Sequence, residues 1–166
     1  MGVRLAGLPV EEVLFFLIIP YSSLFILANL QHYFADRTFS FPVSLPAVLS
    51  AGFIAAAVVF RDQAYTRTAM LACGTFFPAA AAFGRGVLGS VQFWIYMGTT
   101  YIPFLVVNYL LTSPPIVWYN PSAIWGIRVT TIPLEDFFYS FAMLGFYTLV
   151  YQRIGGRGIG ERVPRP

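Results

Sequence analysis

Residues 91–111 read VQFWIYMGTTYIPFLVVNYLL, a stretch of 21 residues without a charged side chain. An α-helix rises about 1.5 Å per residue, so about 20 such residues cross the hydrocarbon core of a bilayer. Four further apolar stretches lie at residues 9–30, 41–60, 68–83 and 131–151. The third is short and approaches a full crossing only if its helix begins near Tyr65. The pattern predicts an all-α, polytopic integral membrane bundle of about five transmembrane helices.

The composition supports this interpretation. Of the 166 residues, 58% are hydrophobic and 18% are aromatic, whereas only 10% are charged, compared with about a quarter in a typical soluble domain. This balance excludes a disordered chain, a basic nucleic-acid-binding protein and most water-soluble enzymes. The C-terminal segment is rich in Arg, Gly and Pro. We therefore expect residues 1–151 to form one membrane-embedded domain and residues 152–166 to form a disordered tail.

The loop arginines indicate an orientation. Five crossings would place one group of arginines on the N-terminal side, namely Arg4, Arg61, Arg67 and Arg128. The other side would hold Arg37, Arg85, Arg153, Arg157, Arg162 and Arg165. Because cytoplasmic loops carry the excess of positive charge, this small difference predicts a cytoplasmic C-terminus. Trp118, Tyr119 and Trp125 flank the last two stretches, where aromatic side chains anchor a protein at the membrane interface.

An internal repeat links the two ends of the chain. Residues 2–16 (GVRLAGLPVEEVLFF) resemble residues 126–140 (GIRVTTIPLEDFFYS) at a constant offset, the one that separates Gly2 from Gly126. The equivalent pairs are Arg4 and Arg128, Pro9 and Pro133, Glu11 and Glu135, and Glu12 and Asp136. Each copy predicts a proline that opens a helix and two carboxylates in the first turn, where the helix dipole stabilises anions. Four crossings separate the copies, so both acidic pairs should lie at one membrane face.

Four carboxyl groups in an apolar bundle can supply acid–base chemistry. A neighbouring pair can hold one acid protonated and another ionised. Adjacent helical residues point about 100° apart, so the two members of a pair cannot face the interior equally. We favour Glu11 and Glu135, because Glu occupies this position in both copies, with Glu12 and Asp136 as their partners. The aromatic residues that follow could stabilise a cation; they include Phe15, Phe16 and Tyr139.

This pattern of residues leaves two functions open, and an interpretation without any function as well. A proton donor, a base and an aromatic lining suit the protonation and cyclisation of an alkene. They would also suit a subunit of a proton-coupled transporter. Carboxylates at a helix start can also be merely solvated. The residues alone do not choose among these possibilities.

The motifs resemble those of the membrane-embedded lycopene cyclase family, whose members occur as two small subunits or as one fused two-repeat chain. LPVEEVLFFLIIPY (residues 8–21) is similar to the first copy of the family signature, and VWYNPSAIWGIRVTTIPLEDFFYSFA (residues 117–142) is similar to the second. FRDQAYTRT (residues 60–68) and PFLVVNYLLT (residues 103–112) also fit its second half. The resemblance implies an isomerase that closes the linear ends of lycopene into ionone rings, with β rings expected, without net redox change.

The resemblance also implies roles for individual residues. Glu11, Glu12, Glu135 and Asp136 would form the acid–base set, and Pro9 and Pro133 would shape the helix starts. The remaining candidates would line or support the pocket, namely Phe15, Phe16, Asn108, Arg128 and Tyr139. No cofactor or metal is expected: His32 is the only histidine and Cys73 the only cysteine. Gly84, Gly86 and Gly89 match a dinucleotide-binding spacing without the strand that it requires.

The resemblance sets expectations about partners and location. The substrate would be a C40 carotenoid that enters from the bilayer of a bacterial or archaeal cytoplasmic membrane. Fused members carry helices ahead of the first motif, and this chain is expected to lack them. A second cyclase subunit or further copies of the chain could then complete the enzyme, and a non-catalytic partner subunit stays an alternative. The residues do not show the ring type, the number of ends cyclised, or which Glu is the acid.

Overall fold

The computed structural model describes residues 4–5, 8–84, 86–114 and 116–154, and its described side chains begin at Val10 and omit residues 11–13 and 15–16. In this part the chain forms five α-helices, as predicted, and a 3-10 helix, Val87–Gly89, precedes the fourth. They are α1 (Val10–Tyr33), α2 (Leu45–Val59), α3 (Ala64–Phe83), α4 (Val91–Thr112) and α5 (Leu134–Ile154). The third helix begins at Ala64 and so includes Tyr65. The fifth continues to Ile154, past the predicted domain boundary at 151.

Membrane crossing is indicated for one of these helices. Among the described residues, only α4 is both long and apolar enough to cross a membrane, judged by length and composition. The apolar helix α2 has 15 residues, which span about 22 Å. Five crossings therefore stay a prediction.

Two short β-hairpins precede α1 and α5. Strand β1 (Arg4–Leu5) pairs with β2 (Leu8–Pro9), and β3 (Arg128–Val129) pairs with β4 (Ile132–Pro133), both antiparallel. Arg4 lies opposite Pro9, and Arg128 lies opposite Pro133, so the two hairpins share one register at the offset of the sequence repeat. The sequence predicted that Pro9 and Pro133 open the helices. In the structure the two prolines instead end their strands. Each helix begins at the next residue.

The helices alternate in direction. The Gln92 amide at the start of α4 donates to the Phe34 carbonyl just beyond α1. At the other end of α4, the hydroxyls of Thr112 and Thr131 lie 2.7 Å apart, next to the start of α5. The Arg153 guanidinium of α5 lies 5.0 Å from the centre of the Phe83 ring, which ends α3. Helices α1, α3 and α5 therefore begin at the same end of the bundle.

An apolar core holds α3 and α5 together. Phe76 of α3 is fully buried, and its ring contacts Phe141 and Phe146 of α5 edge-on. A Cβ atom at Gly145 would lie within 2.7 Å of the Phe76 ring atom Cζ. The absence of a side chain at this position lets the ring lie against the α5 backbone. This close packing holds α3 against α5.

Candidate active site

A cavity of about 340 Å³ lies between α1, α4 and α5. Most of its lining is apolar and includes Ile19 and Ile26 of α1, Pro103, Phe104, Val107 and Leu111 of α4, and Met143 and Leu144 of α5. Tyr65 of α3 and Tyr119 of the α4–α5 loop also reach it. Asp136 is the one carboxylate among the described residues that line the cavity. An ionisable group thus faces a largely apolar space.

Two tyrosine hydroxyls hold the Asp136 carboxyl group. Tyr65 donates to Oδ1 at 2.5 Å, and Tyr119 donates to Oδ2 at 2.6 Å. Asp136 is only 5% exposed. Burial and the hydrogen bond to Asp136 raise the pKa of Tyr119 above its ordinary value. Tyr119 therefore keeps its proton and remains a donor.

Glu135 has different surroundings, although it is the preceding residue. Its side chain is fully buried and does not line the cavity. Its Oε1 atom accepts a hydrogen bond from the Thr66 hydroxyl at 2.6 Å and another from the backbone N–H of Trp125. Its Oε2 atom has no hydrogen-bond partner among the described residues. The helix turns the two side chains about 100° apart, and the second acid, not the favoured first, faces the cavity.

The loop before α5 is held by α3. The backbone N–H groups of Tyr65 and Thr66 both donate to the Ala123 carbonyl, at 3.0 and 3.3 Å. Two residues later, the Trp125 N–H reaches Glu135. Gly126 then adopts φ +89°, a left-handed conformation that side chains disfavour. The turn brings the chain into β3, so one loop presents donors to both acids.

The other predicted residues fall into two groups. Asn108 and Tyr139 line the cavity, whereas Pro133 is buried in β4 beside it. Arg128 donates to the Thr131 carbonyl at 2.7 Å, and its guanidinium carbon lies 5.7 Å from the centre of the Tyr119 ring. The second group lies outside the described side chains, so its roles stay predictions: Pro9, Glu11, Glu12, Phe15 and Phe16.

The sequence interpretation missed Tyr65, Thr66 and Tyr119. Tyr119 was predicted to be an interfacial anchor, and Tyr65 and Thr66 lie in a family-like string that was given no role. One available signal was the alternating direction of consecutive helices. Because two helices, α3 and α4, separate the starts of α3 and α5, hydroxyl groups at the start of α3 should lie level with the acids of α5.

Comparison with known proteins identifies one family. A family model described as Lycopene cyclase matches residues 1–30 and 47–154, which is most of the chain. Neither the curated proteins nor the solved structures gave a match. The matched ranges include both acidic pairs, both hairpins and the residues that line the cavity.

Proposed function

This chain belongs to the lycopene cyclase family, and we propose that it cyclises the linear end groups of lycopene by acid–base catalysis at the cavity beside Asp136. The observation that carries this proposal is the Asp136 carboxyl group, which faces a largely apolar space between helices. Cyclisation of a polyene needs a positioned proton donor and acceptor. It also needs an environment that keeps water away from a carbocation.

The reaction balances without a redox partner. A proton adds to the terminal double bond and leaves a tertiary carbocation. The electron pair of a second double bond forms the ring carbon–carbon bond, and the positive charge moves to a ring carbon. A base removes a proton from the adjacent carbon, whose electrons form the new double bond. One proton enters and one leaves, so the product is an isomer of lycopene, with a β ring as the expected form.

The residues at the cavity support distinct steps. The Asp136 carboxylate would stabilise the cation and accept the departing proton. The rings of Phe104, Tyr119 and Tyr139, which line the same cavity, would stabilise positive charge through their faces. For the proton donor we propose Glu11 or Glu12, because α1 begins at the same end of the bundle as α5. In this scheme Asp136 takes the place that the sequence interpretation gave to Glu135.

We propose that the chain consists of two related halves. The shared register of the two hairpins, each followed directly by a helix, supports this relationship. The parallel course of α1 and α5 supports it as well, since equivalent acidic positions then lie at equivalent heights.

We also propose that all five helices cross a membrane. Large apolar side chains point outward on several helices; Tyr21 is 74% exposed, Val58 66% and Ile102 65%. An apolar surface of this extent favours lipid over water. The C40 substrate would then enter from the bilayer, and the arginines of the loops would lie near its two faces. A C-terminus on the cytoplasmic side and a second subunit or copy of the chain are parts of the same proposal.

The test is expression of the chain in bacterial cells that accumulate lycopene, followed by chromatography and mass spectrometry of the pigments. We expect cyclic products with the mass of lycopene. Asp136→Asn should lower their formation at least about 100-fold, the usual contribution of a general acid or base. Asp62→Asn is the matched control, because Asp62 is an exposed loop acid.

Two results would contradict the proposal. One is lycopene that stays unchanged even when a partner subunit of the family is co-expressed. The other is full turnover by Asp136→Asn. Glu11→Gln and Glu12→Gln test the donor separately, because loss of activity in one of them identifies the acid without affecting the assignment of Asp136.

A further inference from the structure

We propose that Tyr65 and Tyr119 are positioning residues that keep Asp136 ionised and aimed into the cavity, which makes Asp136 the base of the reaction and not its proton donor. The inference rests on the proposed function, and it assigns to these two tyrosines a role that the acidic motif does not contain.

The two hydrogen bonds that Asp136 accepts indicate that it is ionised. Each carboxyl oxygen of Asp136 accepts from a different hydroxyl, at 2.5 Å from Tyr65 and at 2.6 Å from Tyr119. A tyrosine hydroxyl has one proton to donate. Two donors on two oxygens match an ionised carboxylate. If Asp136 held a proton on one oxygen, that oxygen would be a weaker acceptor, and the hydrogen bond from the tyrosine there would lose strength. No other acceptor for either hydroxyl is found among the described residues.

The two donors come from separate elements that are themselves fixed. Tyr65 lies in the first turn of α3, and its backbone N–H donates to the Ala123 carbonyl. Tyr119 lies in the α4–α5 loop, with its ring centre 5.9 Å from that of Tyr65. The Arg128 guanidinium lies above the Tyr119 ring. Asp136 is therefore held from two sides and cannot rotate without breaking a hydrogen bond.

The charged and titratable groups around Asp136 can be named. Among the described side chains they are Tyr65 of α3, Tyr119 of the loop, Arg128 of β3, and Glu135 and Tyr139 of α5, and the proposed donors Glu11 and Glu12 of α1 are to be added to them. The described cavity lining from α1 and α4 contributes no titratable group. Burial alone favours the neutral form of a carboxyl group, and each hydrogen bond donated to the carboxylate opposes that effect. Removal of the Tyr65 or the Tyr119 hydroxyl should thus favour protonation of Asp136.

Loss of a hydroxyl that donates to Asp136 should shift the pH dependence of turnover. A base works only when it is ionised, so activity falls when pH drops far enough to protonate it. A carboxylate that has lost a donor takes up its proton at higher pH. The acidic limb of the pH–rate profile should therefore move to higher pH in Tyr65→Phe and Tyr119→Phe, and further in the double variant.

The kinetic test uses the full chain in proteoliposomes, with lycopene supplied in the lipid. Each Tyr→Phe variant should lower kcat about tenfold, the usual effect of losing one hydrogen bond to a charged group, with little change in KM. Tyr109→Phe is the control, because it removes a hydroxyl from an exposed tyrosine of α4 outside the cavity. An acidic limb that stays at the wild-type position in the double variant would overturn the proposal.

A second measurement separates this inference from the proposed function. Infrared difference spectra of the purified wild type and Asp136→Asn identify the absorption of the Asp136 carboxyl group. At neutral pH we expect a carboxylate band in the wild type and a protonated carbonyl band in the double tyrosine variant. A protonated wild-type Asp136 would overturn the positioning role even if lycopene is cyclised. An ionised Asp136 that becomes protonated in the double variant would uphold that role even if lycopene is left unchanged.

Discussion

Glu135 and Asp136 are consecutive in the chain, yet their carboxyl groups accept hydrogen bonds from different donors. Thr66 and the Trp125 N–H bond to the first, whereas Tyr65 and Tyr119 bond to the second. Each acid thus has one donor from the first turn of α3 and one from the same loop. The arrangement separates a buried acid that ties the loop to α3 from an acid that faces the cavity.

Thr66→Val should destabilise the protein without changing its cavity. The substitution keeps the side-chain shape but removes the hydroxyl that donates to Glu135 at 2.6 Å. Loss of a hydrogen-bond partner from a buried acid costs about 1–3 kcal/mol. Thermal unfolding in detergent measures the loss. Thr68→Val is the matched control, because the exposed Thr68 hydroxyl bonds only to the Ala64 carbonyl of its own helix. Equal stability of the two variants would contradict a structural role for Glu135.

Gly145→Ala should overpack the contact between α3 and α5. The added methyl group would meet the Phe76 ring, with its Cζ atom 2.7 Å away. Overpacking of a close contact costs about 1–3 kcal/mol, so the midpoint of thermal unfolding should fall. At Gly98, within α4, no atom lies within 4 Å of an added Cβ. Gly98→Ala should therefore be neutral or slightly stabilising, because Ala has the higher helix propensity.

Arg128→Gln should lower turnover by a modest factor. Its guanidinium lies above the Tyr119 ring and donates to the Thr131 carbonyl, so the change loosens the loop that positions Tyr119. A partly exposed cation–π contact contributes about 0.5–1 kcal/mol, which corresponds to roughly a two- to fivefold loss in kcat. Arg61→Gln provides the comparison, since Arg61 pairs only weakly with Asp62 at the surface. Identical turnover of both variants would exclude a contribution from Arg128.

Asp36→Ala should weaken the attachment of α1 to α4. Asp36 accepts hydrogen bonds from the Ser90 hydroxyl at 2.7 Å and from the Gln92 N–H at 3.1 Å. It therefore caps the start of α4 from the segment that follows α1. Loss of such a cap costs about 0.5–2 kcal/mol, measurable as a lower unfolding temperature. Asp62→Ala, which removes a 92% exposed carboxylate, should leave that temperature unchanged, and a comparable drop there would contradict the capping role.

The helices could be predicted because each is a long apolar stretch between polar segments. The first residues of the helices were predicted less accurately. The third helix begins at Ala64, four residues before the predicted start at Thr68. The second begins at Leu45, after the predicted start at Phe41, because the chain first turns through Pro42 and Ser44. Local apolar composition does not encode such turns.

The site was only partly predictable, because contacts between distant parts of the chain decide it. The repeat predicted an acid–base set of Glu11, Glu12, Glu135 and Asp136, and of these the structure describes the side chains of Glu135 and Asp136. The repeat could not show which of these two faces the cavity, since that depends on the side of α5 against which α3 packs. The donor Tyr119 belongs to a loop whose course is set by the Ala123 carbonyl and by the left-handed turn at Gly126. The contact of the Ala123 carbonyl has no local sequence signature, and a glycine permits a left-handed turn without requiring one.

Pro103 lies within α4 and lines the cavity. Because proline has no N–H, the carbonyl of Thr99, four residues earlier, lacks its usual helical partner, and the proline ring also pushes against that turn. The main chain of α4 at Pro103 therefore contributes to the wall of the cavity. Substitutions of the lining side chains should change which ligand fits the cavity, whereas the interrupted hydrogen bond of α4 should persist as long as Pro103 is retained.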